Sequence, residues 1–478
     1  MRKFREPNRE QLLMLATVNL DSIAPVGSVL HSIDALVEQL DTSEIESSYD
    51  FESKQGTNPF HPKTMIKVAL YAMHNCRFSL RKMEEDTIKH LGYQWLTGNE
   101  SIDHSTMGKF LLKYKSDLPE LLSQIIFIGV EHELIDFEVL NIDTVKIRAN
   151  ASYKQFRTNK AIKKEQEKLK KRLAELIVKA CNDEEEKRVL ELRQAKLDHA
   201  KNELLKRISS KTQDVNSSKK DKIKDKEKIN ITDPDCSLIQ QANGEINSAY
   251  AITMASDSKS DFITYVDVQD KLNDPKALIP AIQGSRENTG GRHDTINADS
   301  GFSSIENLEE LEDDNQFALM PDRRMEAENK GLTSKGDFDR SNFKYNKKKD
   351  YYKCPKNNNL KKITETKVNN RIQCRYANIK ACEKCKVRAQ CTKGKYRIIS
   401  RDSNEEIKEQ MHKRFLKDKN SKIYNQRAHA IESPFGQIKH NLKYRIFMRR
   451  TQEKIKMEIT LLAILHNIMK ISTQMAFT

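Results

Sequence analysis

The chain has 478 residues, a formal net charge of +15 and a sequence pI of about 9.2; 37% of its residues are hydrophobic and 7% aromatic. That length allows two or three domains, and the basic balance favours nucleic acid over a membrane surface or a ribosome-like partner. No apolar run is long enough to span a bilayer, the first residues lack a signal-peptide core, and eight cysteines in this length do not make a secreted disulfide framework, so a cytoplasmic protein is expected.

Residues 1–135 read as a helical domain. "HPKTMIKVALYAMHNC" and "SLRKMEEDTIKHLGYQWL" repeat apolar residues every three or four positions, with Ser79 as a candidate cap. "TGNESIDHSTMGKFLLKYK" turns and re-enters a helix, with Asp103 or Ser105 at its start. Two short helices around a glycine-containing turn suit a helix–turn–helix, so the domain is read as DNA-binding; plain helical packing is the alternative. "EVLNIDTVKI" then reads as a strand carrying Asp143. Residues 155–230 interrupt the pattern. Ile162, Leu169 and Leu176, and then Leu190, Leu197 and Leu204, recur every seventh position, which predicts a helical hairpin; "SSKKDKIKDKEK" follows as a solvated linker.

Strands resume with "SAYAITMAS" and "DFITYVDVQD", an expected hairpin, followed by a short helix in "DPKALIPAIQ". "INADSGF" is a strand ending at Asp299, "SIENLEELEDD" a helix and "QFALMPDR" another strand. This alternation predicts a mixed sheet covered by helices. Residues 345–395 hold five of the eight cysteines, and from about 403 the pattern is helical, ending in the apolar "ITLLAILHNIMKI".

Asp143 and Asp299 are acidic residues in otherwise apolar strands, and Glu432 stands in a helical stretch followed by Lys439, Lys443, Arg445, Arg449 and Arg450. Lone carboxylates of this kind are usually caps or solvated groups. Two strand aspartates and a helix glutamate also suit a two-Mg²⁺ site for displacement at phosphorus, with the cations on the phosphate backbone. Seven residues separate Glu432 from Lys439, which puts them on one face of a regular helix. Between 401 and 478, 16 Lys and Arg stand against 8 Asp and Glu.

Those segments resemble the DDE transposases of bacterial insertion sequences. "HPKTMIKVALYAMHNCRFSLRKMEED" is similar to the family's N-terminal helical domain, and "IDTVKIRANAS", "NADSGFSSIENLEEL" and "RAHAIESPFGQIKHNLKYRIFMRR" to its three catalytic segments. The resemblance implies Asp143, Asp299 and Glu432 as catalytic metal ligands for Mg²⁺ or Mn²⁺. It also implies a ribonuclease-H-like DDE domain over 136–478, and a homo-oligomer synapsing transposon ends and target DNA. Tyr424, Arg427, Glu432 and Lys439 fit the family's tyrosine, arginine, glutamate and lysine series, with one extra residue between Arg427 and Glu432. Pro434 departs from a regular helix there. Asp294 and Asp257 compete with Asp299 for the second aspartate.

Cys382, Cys385 and Cys391 in "CEKCKVRAQC" suit structural Zn²⁺, with Cys374 or Cys354 as the fourth ligand; free thiols or an occasional disulfide are the alternative. His293 is either a site residue or a loop histidine, His429 a DNA contact or a solvated helix residue, and His466 a satisfied core histidine. Tyr444 and Phe447 are packing residues or contacts to sugar and base. The competing readings of the whole chain are a catalytically inactive DNA-binding remnant or regulator, a ribonuclease-H-like nuclease or resolvase that cuts without joining, and a basic RNA-binding protein.

Overall fold

The computed structural model describes residues 24–49, 58–178, 184–212, 223, 225–241, 244–269, 274–321, 336–368, 371–402, 404–415 and 417–475. The chain divides into two compact units, Met1–His293 with His429–Thr478, and Asp294–Ala428.

In the first unit the described chain enters through helices α1 (Val29–Gln39), α2 (Ser43–Ser47), α3 (Pro62–His74), α4 (Leu80–Lys89), α5 (Leu91–Thr97), α6 (His104–Lys113) and α7 (Leu118–Glu131). Their starts have local causes. Ser28 accepts from the His31 amide at 3.2 Å, and Pro62 occupies the first turn of α3, where an N–H has no helical partner. Asp103 is the cap of α6, accepting from the Ser105 and Thr106 amides at 2.8 and 3.2 Å. Ser79 stands at the start of α4, but its side chain makes no capping hydrogen bond.

Strand β1 (Val139–Arg148) follows, and the chain then leaves for the predicted helical hairpin. β2 (Phe156–Thr158) and β3 (Lys228–Asn230) pair antiparallel at its base, and α8 (Asn159–Val178) and α9 (Glu184–Thr212) project from it. Of the expected seam, Ile162, Leu197 and Leu204 are buried in one cluster with Leu169 packed against it, joined by Ile208, Ile229 and Ile231, while Leu176 and Leu190 lie outside that cluster. The supposed linker ends in β3 at Lys228; most of the rest of it lies outside the described residues.

β4 (Ser237–Gln240), β5 (Ile246–Asp257) and β6 (Ile263–Val268) resume the sheet. β5 runs antiparallel to β1, to β4 and to β6, and is buried from Ser248 onward, as a central strand should be. Helix α10 (Asp274–Thr289) packs on β5 and β6 and continues through Pro280, longer than the sequence suggested.

A last helix of this unit, α16 (Gln452–Met475), packs against α1, α3, α7 and β6. One core therefore joins Ile33, Leu70, Ile125, Ile252, Ile263 and Leu465. Burying each such side chain contributes roughly 1.5–3 kcal/mol. Gly129 of α7 lies under the Phe262 ring, where a Cβ would come within 2.5 Å of Cζ.

The second unit opens with β7 (Thr295–Ala298), α11 (Ile305–Asp313) and β8 (Phe317–Leu319), with the two strands parallel and Ser304 capping the helix. A five-stranded antiparallel sheet follows: β9 (Lys344–Asn346), β10 (Tyr351–Lys353), β11 (Asn359–Val368), β12 (Arg371–Ala377) and β13 (Ile399–Asp402). Helices α12 (Ile379–Glu383) and α13 (Arg388–Cys391) lie between its last two strands. Its core is small: Phe343, Tyr352, Leu360, Tyr376 and Ile399. α14 (Glu405–Phe415) and α15 (Asp418–Gly436) complete the unit, the last residues of α15 belonging to the first. The chain is thus a mixed α/β protein with antiparallel and parallel strand pairs.

Candidate active site and nucleic-acid interface

Asp143 lies in the middle of β1, opposite Met254 of β5, with its side chain partly exposed while Ile142 and Val145 beside it are buried. Its Oδ1 accepts from the Thr144 amide at 2.7 Å. Asp299 is the first residue past β7. Its Oδ1 accepts from the Gly301 amide at 2.8 Å, and the Phe302 amide donates to its carbonyl at 3.2 Å. The aspartate thus forms the turn that drops Phe302 into the core, and it keeps part of its side chain exposed. Glu432 lies in α15.

The two competing aspartates differ from Asp299. Asp257 is fully buried and bonded through Oδ2 to His293 Nε2 at 3.1 Å, with the His293 ring packed 5.3 Å from that of Phe137. Both are thus interior groups of the first unit, and His293 is a loop histidine, in the connection between α10 and β7, but a buried one. Asp294 is exposed. His466 is a core histidine as expected: Nε2 bonds the Asp261 carbonyl oxygen at 3.0 Å, and burial pushes its pKa down to about 4. The side chain of His429 lies outside the described residues.

Helix α15 runs through Pro434 and passes directly into a π-helical turn, Gln437–Asn441, closed by the Leu442 amide on the Gln437 carbonyl at 2.9 Å. A π turn holds more residues than an α turn, so the regular α-helical geometry behind the seven-residue spacing of Glu432 and Lys439 does not continue as far as Lys439. This corrects the regular-helix expectation.

The expected DNA-contacting cations divide into groups. Arg427 sits over the Tyr424 ring at 5.5 Å, and Tyr424 packs on Phe415. Lys439 is partly buried in the π turn; burial holds its amine below the usual lysine range, and the charge of Lys146 pushes the same way. Lys443, Arg445 and Arg450 are exposed, with Arg450 Nε donating to the Asn150 carbonyl at 2.8 Å. Arg449 differs. Its Nη1 bonds Glu458 of α16 at 3.1 Å, and Glu458 also accepts from Tyr444 and from the Met448 and Arg449 amides. Arg449 therefore holds the 443–450 loop onto α16. Tyr444 and Phe447 are buried packing residues, set edge-on to Phe78 and Tyr250 respectively.

That loop docks on the end of β1. The Phe447 amide donates to the Arg148 carbonyl at 2.9 Å, and Asn150 Nδ2 to the Met448 carbonyl at 2.8 Å. Arg148, Asn150, Ser152, Thr232, Asn247 and Arg450 line one open groove there. The basic surface thus includes Lys146 and Arg148, which the sequence reading missed. Their signal was present in "IDTVKIR", where cations alternate with Val145 and Ile147.

The cysteines also separate. Cys354, Cys382, Cys385 and Cys391 line one small pocket, and burial pushes the Cys391 thiol up. Cys374 lies on β12 opposite Glu365, its Sγ 3.8 Å from Glu365 Oε2. Among the described residues, no group of three or more His, Cys, Asp or Glu side chains stands ready to hold a metal ion. No described helix is long and apolar enough to cross a membrane.

Residues 353–472 match the transposase DDE domain family, and residues 18–112 match a transposase domain family, DUF772. The first match includes Glu432 and ends before reaching back to Asp143 or Asp299. Together the two matches are consistent with a DDE transposase of the insertion-sequence type. No curated protein and no solved structure matches the chain.

Proposed function

We propose that this protein binds the ends of a mobile DNA element, cuts them to leave 3′-hydroxyls and joins those ends to target DNA. In this reading the fold is ribonuclease-H-like, and the working form is a homo-oligomer that holds two ends together. The observation that carries it is the pair of transposase-family matches, one of which includes Glu432. The geometry supports it: the cationic 443–450 loop docks on the end of β1, the strand that carries the partly exposed Asp143. Asp143 is an odd number of residues from Lys146 and Arg148, so the acid and those two cations emerge on opposite faces of the sheet. An exposed carboxylate suits a metal, and the loop cations suit the DNA backbone.

Asp143, Asp299 and Glu432 would hold Mg²⁺ or Mn²⁺. Asp143 and Asp299 supply hard oxygen donors with part of each side chain exposed, which fits such an ion. Bound metal supplies activation of a water or 3′-hydroxyl and stabilises the leaving oxygen. The chain's own cations orient the duplex. The charges of Lys439 and Lys146 oppose each other, and a phosphate between them removes that cost. Arg445 and Lys443 meet the neighbouring backbone.

The test is incubation of the full chain with DNA carrying the element ends and Mg²⁺, with cut and joined products mapped. Cleavage and joining at the ends is the result expected. Cutting without joining leaves a nuclease, and binding without cutting leaves a regulator; either outcome overturns the transposase reading.

A further inference from the structure

The small sheet of the second unit has few buried side chains to hold it. Phe343, Tyr352, Leu360, Tyr376 and Ile399 form its core, and both β11 and the α12–α13 segment are largely exposed. Modules of this size commonly need a staple beyond the hydrophobic effect. We propose that Cys354, Cys382, Cys385 and Cys391 form a structural zinc site of four thiolates, and that Cys374 is not a ligand.

Two turns present these thiols. Cys354 closes the turn between β10 and β11: its amide donates to the Asn358 carbonyl at 2.8 Å, and the Asn357 amide donates to its own carbonyl at 2.8 Å. The second turn spans the CxxC pair, with the Cys385 amide donating to the Cys382 carbonyl at 3.2 Å and the Arg388 amide to the Cys385 carbonyl at 3.1 Å. Cys391 ends α13, one short helix further on, and Arg397 holds its carbonyl at 3.2 Å. A hydrogen bond ties the two turns together. Asn378 caps α12, accepting from the Ala381 amide at 3.0 Å, while its Nδ2 donates to the Asn359 carbonyl at the start of β11 at 2.9 Å.

All four thiols consequently line the same pocket, against Phe343 and Leu360. They surround it without being drawn onto a common point. Side-chain rotation on these fixed turns is what a metal would have to bring about, since Zn–S bonds are about 2.3 Å. Charge agrees with this ligand set. Four thiolates around Zn²⁺ leave a double negative charge, and Lys356 and Arg397 line the pocket to meet it. Cys374 fails on position: it lies outside the pocket lining, on β12, with its Sγ turned to the Glu365 carboxylate at 3.8 Å. The site does not depend on the transposase reading, because its role is to hold the module folded.

Differential alkylation of the unaltered full chain tests the proposal without relying on a variant that folds. The protein is purified under reducing conditions without chelator, its zinc is measured, and each cysteine is mapped for labelling before and after chelation. The expected result is about one zinc per chain. Cys354, Cys382, Cys385 and Cys391 should be protected together and released together, and Cys374 labelled throughout. A second arm compares Cys354→Ser with Cys374→Ser. The first should lose zinc to a chelator concentration that wild type withstands, and the second should retain it. Absence of zinc with all five thiols labelled equally overturns the proposal. So does labelling of Cys354 in the zinc-loaded chain, or equal zinc loss from the two variants.

Discussion

Arg449 and Glu458 are bonded inside the first unit, 3.1 Å apart, with Glu458 almost wholly buried and Arg449 mostly so. An arginine in a basic run next to a transposase-like motif is thereby fixed as a strut. Removing one partner of such a pair strands the other charge, at a cost of about 3–5 kcal/mol. Arg449→Ala should lower the melting temperature of the DNA-free protein. Lys443→Ala and Arg445→Ala should leave it unchanged and weaken duplex binding. Thermal unfolding beside a binding titration separates the two classes; equal melting temperatures for all three variants would mean that Arg449 is a surface cation after all.

DNA affinity should fall steeply and linearly with the logarithm of salt concentration, because bound Lys and Arg release counterions. Neutralising Arg148, Lys443 or Arg445 should each reduce the slope by about one and weaken binding to unrelated duplexes alike. A flat salt dependence, or an effect confined to one DNA sequence, would remove these residues from backbone contact.

Asp143→Asn, Asp299→Asn and Glu432→Gln should each abolish cleavage and joining while end-binding survives, and the double changes should be little worse than the single ones. At Asp299 the choice of variant matters. Asparagine retains the side-chain oxygen that accepts from the Gly301 amide, so the turn that buries Phe302 stays intact; alanine loses turn and charge together. If Asp299→Asn cuts at the wild-type rate, the residue is a turn former only, and exposed Asp294 becomes the candidate. Cleavage of labelled ends beside a gel shift decides it.

Acid should destabilise the first unit through His466. Burial depresses its pKa to about 4, with the Lys470 charge pushing the same way and Asp261 partly opposing. Unfolded histidine titrates near 6.5, so the unfolded state takes up the proton first as pH falls. The stability is intact above pH 6.5 and is lost progressively down to about pH 4, a change on the order of 3 kcal/mol. His466→Gln should flatten that part of the stability–pH curve measured by denaturant titration; an unchanged curve would assign the acid sensitivity elsewhere.

Some of this was legible in the sequence because local chemistry and tertiary burial agree. Ile296, Ala298 and Phe302 signalled a buried strand ending at Asp299, and Ser304 caps the helix that follows. Asp103 announced α6 in the same way. The five-stranded sheet was missed because β11 exposes most of its residues, so "LKKITETKV" shows β-branched residues but no apolar face. β2 and β3 were missed because three residues each are too few for a period to emerge. The π turn after Pro434 depends on backbone geometry that residue spacing does not encode. The role of Arg449 required its partner on a helix nine residues away, and a run of cations looks the same whether or not one of them is tethered.

The shared core of the first unit bears on how the chain tolerates truncation. Helices α1, α3 and α7 bury their apolar faces partly on α16, which follows them far along the chain. A chain shortened before α16 would therefore carry helices with an exposed apolar seam, and such surfaces invite aggregation and proteolysis. The helical stretch looks, residue by residue, like a module able to stand alone, yet its core is completed only by the last described helix.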